Sequence, residues 1–174
     1  NLLGVDFSGV ILSGTNFYNA DLSGQDFTVI SKTESEGSLF VDAILPNSNF
    51  EGVDLAPKEI FTTTFKNKAN LKNLEGADLV DNLFGLQSTN KHVISKEVRG
   101  NDLVVDFIIY NNFSDATLEN ANFKNAILWL VNFYSVNLTN ANLSGADLTK
   151  GYLADADLSG ANLEGANLEG AILD

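Results

Sequence analysis

The chain has one histidine, His92, and no cysteine. A lone imidazole acts as a general base only when a nucleophile and an orienting carboxylate are brought to it. His92 sits in Lys91-His92-Val93-Ile94-Ser95-Lys96-Glu97-Val98-Arg99, and no spacing delivers a particular Ser and Asp to it. It is read as a solvated loop histidine. Carboxylates are the other reactive groups, 23 of them, with Asp147, Glu164 and Glu169 falling on outward positions. Paired carboxylates move protons or hold a hard cation. These acids, however, occupy positions that must be polar for structural reasons. The sequence holds no phosphate-binding glycine loop, dinucleotide fingerprint, HExxH or EF-hand loop. The expectation is no catalytic residue, no metal, no cofactor and no enzyme.

The elements that position these groups follow from a period of five. Every fifth residue from Leu118 to Leu173 is Leu or Phe, and the residue two places earlier is Ala, Val or, once, Gly. The residue between is usually Asn or Asp. Five residues rotate a helical side chain by roughly 140°, so the leucines would spiral around a helix. On a strand, an odd step sends them to alternate faces. They share one interior only if the chain bends inward once per repeat. Four such bends close a square coil of about twenty residues, and stacked coils make a solenoid. The residue two before the centre must be small because the shaft is narrow. Asn and Asp suit the bends through hydrogen bonds to nearby backbone, and Gly145, Gly160, Gly165 and Gly170 supply corners.

Ala121-Asn122-Phe123, Ala141-Asn142-Leu143, Ala146-Asp147-Leu148, Ala161-Asn162-Leu163 and Ala166-Asn167-Leu168 carry a resemblance. The chain resembles the pentapeptide repeat proteins, and its abundant Asn, Gly-closed repeats and acidity are most similar to cyanobacterial members. The match is unbroken over Ala116 to Asp174, looser over Asn1 to Val29 and Ser38 to Asn67, and fragmentary between Lys68 and Asn112. The resemblance implies an all-β solenoid, a right-handed quadrilateral parallel β-helix, here of about seven coils with two loop excursions. It fixes architecture better than function.

The central residues fall in four registers. The first runs from Leu2 through Leu12 to Phe27, the second from Phe40 to Phe65, the third through Leu74, Leu79 and Phe84, and the fourth begins at Phe113. A single domain over 1–174 is expected, interrupted at about 28–38 and 85–112. The polar segment 31–38 reads as an exposed loop, with about eight extra residues between Phe27 and Phe40. The second interruption reads as a hairpin-like excursion or one irregular coil. Val105-Asp106-Phe107 fits the motif in one frame, while Leu103 and Ile108 fit the downstream frame.

A net charge of −13 argues against nucleic acid or an anionic membrane as a direct partner. No apolar run approaches the ~20 residues of a membrane span. A basic waist at Lys66, Lys68, Lys72, Lys91, Lys96 and Arg99 lies between two acidic ends. Outward apolar residues form the candidate partner-binding set. Ile127, Trp129 and Leu130 take outward positions of one repeat, with Tyr134 around the next corner; extending the register back one coil sets Phe107, Ile109 and Tyr110 beside them.

The function read from these features is a non-catalytic interaction or scaffold module that presents walls and loops to a protein partner. The family resemblance implies the cytoplasm, thylakoid lumen or periplasm as its setting. The alternative is an acidic DNA mimic that protects or inhibits a type II topoisomerase, as the quinolone-resistance members do. The chain begins and ends inside a repeat. Its last coil therefore needs a cap, either from residues beyond this sequence or from an end-to-end homodimer.

Overall fold

A five-residue period needs a corner in every repeat, and one hydrogen-bonded turn makes each of them. In the computed structural model, residues 2, 5–8, 10, 15–28, 43–57, 61–74 and 91–174 are described. They divide into two compact units: a coil unit of Asn1–Pro57 and Tyr110–Asp174, and a sheet unit of Lys58–Ile109.

In the coil unit the Ala141 N–H donates to the Leu138 carbonyl at 2.9 Å, with Asn140 between them at φ 56°. This is a turn of type II character, which asks for positive φ at its third residue. Gly or Asn is therefore favoured there. Gly145 and Gly160 are further constrained, because the Asn125 and Asn140 side chains of the preceding coil lie where a Cβ would stand. Five described positions hold neither Gly nor Asn: Asp115, Leu130, Ser135, Lys150 and Asp155, with φ of 58°, 58°, 53°, 54° and 59°. The residue before each centre buttresses the turn. Asn137 Oδ1 accepts the Thr139 N–H at 3.0 Å, and Asn142, Asn162 and Asn167 do the same for Ser144, Glu164 and Glu169.

Between turns, short parallel bridges stack into four walls. Wall 1 runs through Asp21, Ile44, Thr117, Asn137 and Asp157, and wall 2 through Asp26, Asn49, Asn122, Asn142 and Asn162. Wall 3 holds Asp54, Ile127, Asp147 and Asn167, and wall 4 holds Asn112, Asn132, Tyr152 and Ile172. Backbone bonds alternate upward and downward between coils, as with Leu138 N–H to the Asp157 carbonyl and Asn142 N–H to the Ala121 carbonyl. On wall 2 the side chains add a second ladder, with Asn122 Nδ2 donating to Asn49 Oδ1 at 3.1 Å and Asn142 Nδ2 to Asn122 Oδ1 at 3.3 Å.

The shaft is filled. Phe113, Leu118, Phe123, Leu128, Phe133, Leu138, Leu143 and Leu148 have no exposed surface. Phe27, Phe50 and Phe123 stack with centroids 4.5 and 4.6 Å apart and planes 7° from parallel. Phe113 meets this column edge-on, 5.8 Å from Phe50. Towards the last coil Leu158, Leu163 and Leu168 are half-buried and Leu173 is 51% exposed.

Two boundaries differ from the sequence expectation. Asp21 bridges Ile44 and Asp26 bridges Asn49, each 23 residues on, where later coils repeat every 20. The step thus exceeds a twenty-residue coil by three residues, where eight extra were expected. Segment 31–38, Leu12, Phe40, Ile60, Leu79 and Phe84 lie outside the described residues. The second interruption was expected at 85–112, but the coil unit stops at Pro57 and resumes at Tyr110. Phe65 therefore belongs to no coil.

The sheet unit has three antiparallel strands in the order β1-β3-β2: β1 Phe61–Phe65, β2 Lys91–Arg99 and β3 Asp102–Ile109. A 3-10 helix, Ala69–Asn73, follows β1. Of the two readings of the excursion, the hairpin describes β2 and β3. Gly100, at φ 64°, opens its two-residue turn, where type II′ geometry places glycine. Phe65, Leu71, Leu74 and Val93 pack on buried Leu103 and Val105. Strand alternation, and neither pentapeptide frame, sets these side chains. His92 lies in β2 opposite Ile108 and not in a loop.

Candidate functional site

The carboxylates of the coil unit serve the turns. Asp147 Oδ1 accepts the Thr149 N–H at 3.0 Å and its hydroxyl at 2.5 Å. Asp6, Asp21 and Asp157 are built alike, and the Ser8, Ser23 and Ser159 hydroxyls, with their backbone N–H groups, hold these carboxyls below the usual range. Glu164 and Glu169 are exposed. Among the described residues no group of three or more His, Asp or Glu side chains could hold a metal ion.

In the sheet unit Asp106 accepts from Ser95 Oγ at 2.6 Å and Thr62 Oγ1 at 2.7 Å, and these bonds hold its carboxyl low. The basic waist falls in this unit. Lys66 pairs with Asp102 at 2.7 Å and Arg99 with Glu97 at 2.8 Å, while Lys96 Nζ donates to the Leu74 carbonyl. The charge thus divides by unit. The coil unit has 16 acids against three bases, a net of −13, and the sheet unit has seven against seven, a net of zero.

The candidate partner-binding residues are spread differently from the expectation. Phe107 is 6% exposed, and its ring stacks on Phe61 at 5.5 Å inside the sheet unit. It offers no surface, because in β3 it shares the inward face with Leu103 and Val105. Tyr110 opens the second stretch of the coil unit and is half-buried, with burial pushing its hydroxyl up to about 12. Ile127 stands on wall 3 between Asp54 and Asp147 and is 40% exposed. Trp129 and Leu130 are half-buried at the following turn.

Tyr134 is 38% exposed on wall 4 and stacks on Tyr152, which is 39% exposed, with centroids 5.7 Å apart and planes 13° from parallel. The Tyr134 hydroxyl is held in its neutral form chiefly by donation to Asp155, and Asp115 adds a further negative field. Ile172 follows Tyr152 along the wall and is 51% exposed. The sequence analysis passed over Tyr152 and Ile172. Both occupy the position before the centre where Asn or Asp is usual, and a step of twenty from Asn132 finds them.

A four-walled coil with a filled shaft is a solenoid. The pentapeptide repeat family model matches in eight copies, over residues 1–28, 112–149 and 152–174. The chain belongs to the pentapeptide repeat family, whose fold is the right-handed quadrilateral β-helix and whose members are generally non-catalytic. Among solved structures it is similar to HetL, a pentapeptide repeat protein involved in heterocyst differentiation regulation from the cyanobacterium Nostoc. That match has 17% identity and a TM-score of 0.52, over 97% of this chain and 54% of that one. It is also similar to a pentapeptide repeat protein of the Arabidopsis thaliana thylakoid lumen, with 41% identity and a TM-score of 0.36 over 36% of this chain and 43% of that one. A third similar structure is QnrB1, a plasmid-mediated fluoroquinolone resistance protein, with 15% identity and a TM-score of 0.33 over 96% and 68% of the two chains. The chain spans less than two thirds of the first two. No curated protein matches it. No helix among the described residues is long and apolar enough to cross a membrane.

Proposed function

We propose that the chain is a non-catalytic protein-binding module whose coil walls are the recognition surface. One observation carries this reading. Wall positions that mostly hold Asn or Asp hold exposed Ile44, Ile127, Tyr152 and Ile172, and Tyr134 stacks on Tyr152. An exposed apolar side chain contributes nothing to the shaft, whereas on a binding wall it supplies contact area. Capture of partners from the source organism tests the reading, with wild type compared against Ile127→Ser with Trp129→Ala and against Tyr134→Ser with Tyr152→Ser. A partner retained by wild type and lost by a wall variant of unchanged melting temperature supports it. Capture of nothing, or capture indifferent to both variants, refutes it.

A second reading, the DNA mimic acting on a type II topoisomerase, gains from the partition of charge. With residues 58–109 outside it, the coil unit has length for about six coils rather than seven, a stack of ~29 Å at the ~4.8 Å strand spacing. Its −13 then gives about one net charge per 2.2 Å, against one per ~1.7 Å of duplex DNA. The basic waist belongs to the sheet unit and not to the coil unit. The exposed tyrosines and isoleucines favour the first reading, since a phosphate mimic has no use for them. A gyrase supercoiling assay with a fluoroquinolone separates the two: protection selects the mimic, and unchanged inhibition selects the protein-binding wall.

A further inference from the structure

We propose that Tyr134 and Tyr152 of wall 4, with Asp115 and Asp155, form a docking site for an arginine-bearing basic segment of a partner protein. The inference rests on the protein-binding reading above and names the chemistry of its partner. Most positions on the other walls carry short amides, carboxylates or hydroxyls, many of which close on their own turns, and the exposed apolar exceptions there, Ile44 and Ile127, are aliphatic. Here two rings lie parallel at 5.7 Å and keep more than a third of their surface in solvent. Aromatic faces attract cations, and a guanidinium adds planar stacking that an ammonium lacks. Carboxylates supply the counter-charge. Both acids act on the Tyr134 hydroxyl and favour its neutral form, Asp155 more strongly than Asp115.

Asp115 and Asp155 sit at turn positions with φ of 58° and 59°, in the column that also holds Ser135. They therefore flank the tyrosine pair from one corner of the wall. Ile172 extends the apolar strip by one coil and fits the aliphatic stem of a long cationic side chain. The net charge of −13 on the coil unit draws a basic segment toward it and repels an acidic one.

The test is a titration of fluorescein-labelled octa-arginine with the whole chain, followed by anisotropy at low and at physiological salt. The expected result is binding that Tyr134→Leu with Tyr152→Leu weakens about tenfold, the loss of two cation–ring contacts. Tyr134→Phe with Tyr152→Phe keeps the rings and stays within about twofold of wild type. Glu164→Gln with Glu169→Gln removes two charges from other walls and weakens binding much less than the leucine pair. Octa-arginine that fails to bind, or that is weakened equally by the glutamine and leucine pairs, overturns the site. Wild type that still captures a partner under that outcome leaves the protein-binding reading standing. Wild type that captures none removes both.

Discussion

Replacing Phe50 with Ala removes the middle ring of the column that joins three coils. Phe50 has no exposed surface, lies 4.5 Å from Phe27 and 4.6 Å from Phe123, and meets Phe113 edge-on. A buried Phe→Ala change costs about 3–5 kcal/mol, and each aromatic pair lost lies at roughly 0.5–1.5 kcal/mol within that range. In a solenoid each coil is held mainly by its two neighbours, so a hole in a middle coil weakens both interfaces at once. Phe50→Leu keeps most of the volume, and the column already holds Leu143, so this change costs under about 1.5 kcal/mol. Urea unfolding reads both. With a slope of roughly 1–3 kcal/mol per molar, Phe50→Ala lowers the midpoint by about 1 M or more or leaves the chain unfolded. A loss below about 1 kcal/mol for Phe50→Ala, or equal losses for the two variants, refutes the packed-shaft reasoning.

Other predictions follow from the corners and the acids. Lys150→Gly relieves a left-handed residue worth about 1–2 kcal/mol and gives back roughly 0.5–1 kcal/mol in unfolded-chain entropy, so the melting temperature rises. Gly160→Ala does the reverse by about 1–2 kcal/mol, and more where the Asn140 side chain cannot move aside; thermal melts measure both. Asp21 and Asp157 have carboxyls lowered by Ser23 and Ser159. Their contribution is present above the ordinary Asp value of about 3.9 and is lost as pH falls through the lower folded value. Melts across acid pH show it, because Asp21→Asn with Asp157→Asn flattens the acid limb. Leu143→Lys abolishes the cooperative transition, whereas Glu164→Gln leaves it in place.

The coil was legible wherever one residue did one job. From Phe113 to Leu173 the five-residue step marks the shaft, the small residue two before it marks the narrow wall, and Asn or Asp between them marks the turn acceptor. Phe65 misled because it also falls on the five-residue step. Phe61, Thr63 and Phe65 alternate along β1, and their partners in β3 are Phe107, Val105 and Leu103. A period of two and a period of five give the same apolar residue at Phe65, and only the antiparallel partner decides between them. Gly100-Asn101 was the local hairpin signal. Exposure was half legible. Tyr134 was read as outward and is 38% exposed, but Tyr152, 39% exposed, stands where a turn acceptor is usual and gave no such signal. Phe107 was misassigned because a coil register was carried across the boundary at Tyr110.

The most direct test is partner capture scored wall by wall, with the melting temperature of every variant measured alongside. The account predicts that substituting Tyr134 and Tyr152 releases the partner at unchanged melting temperature, while Phe50→Leu in the shaft retains it. A partner that survives exchange of the exposed apolar residues on walls 3 and 4 and departs only when the shaft is damaged would contradict it.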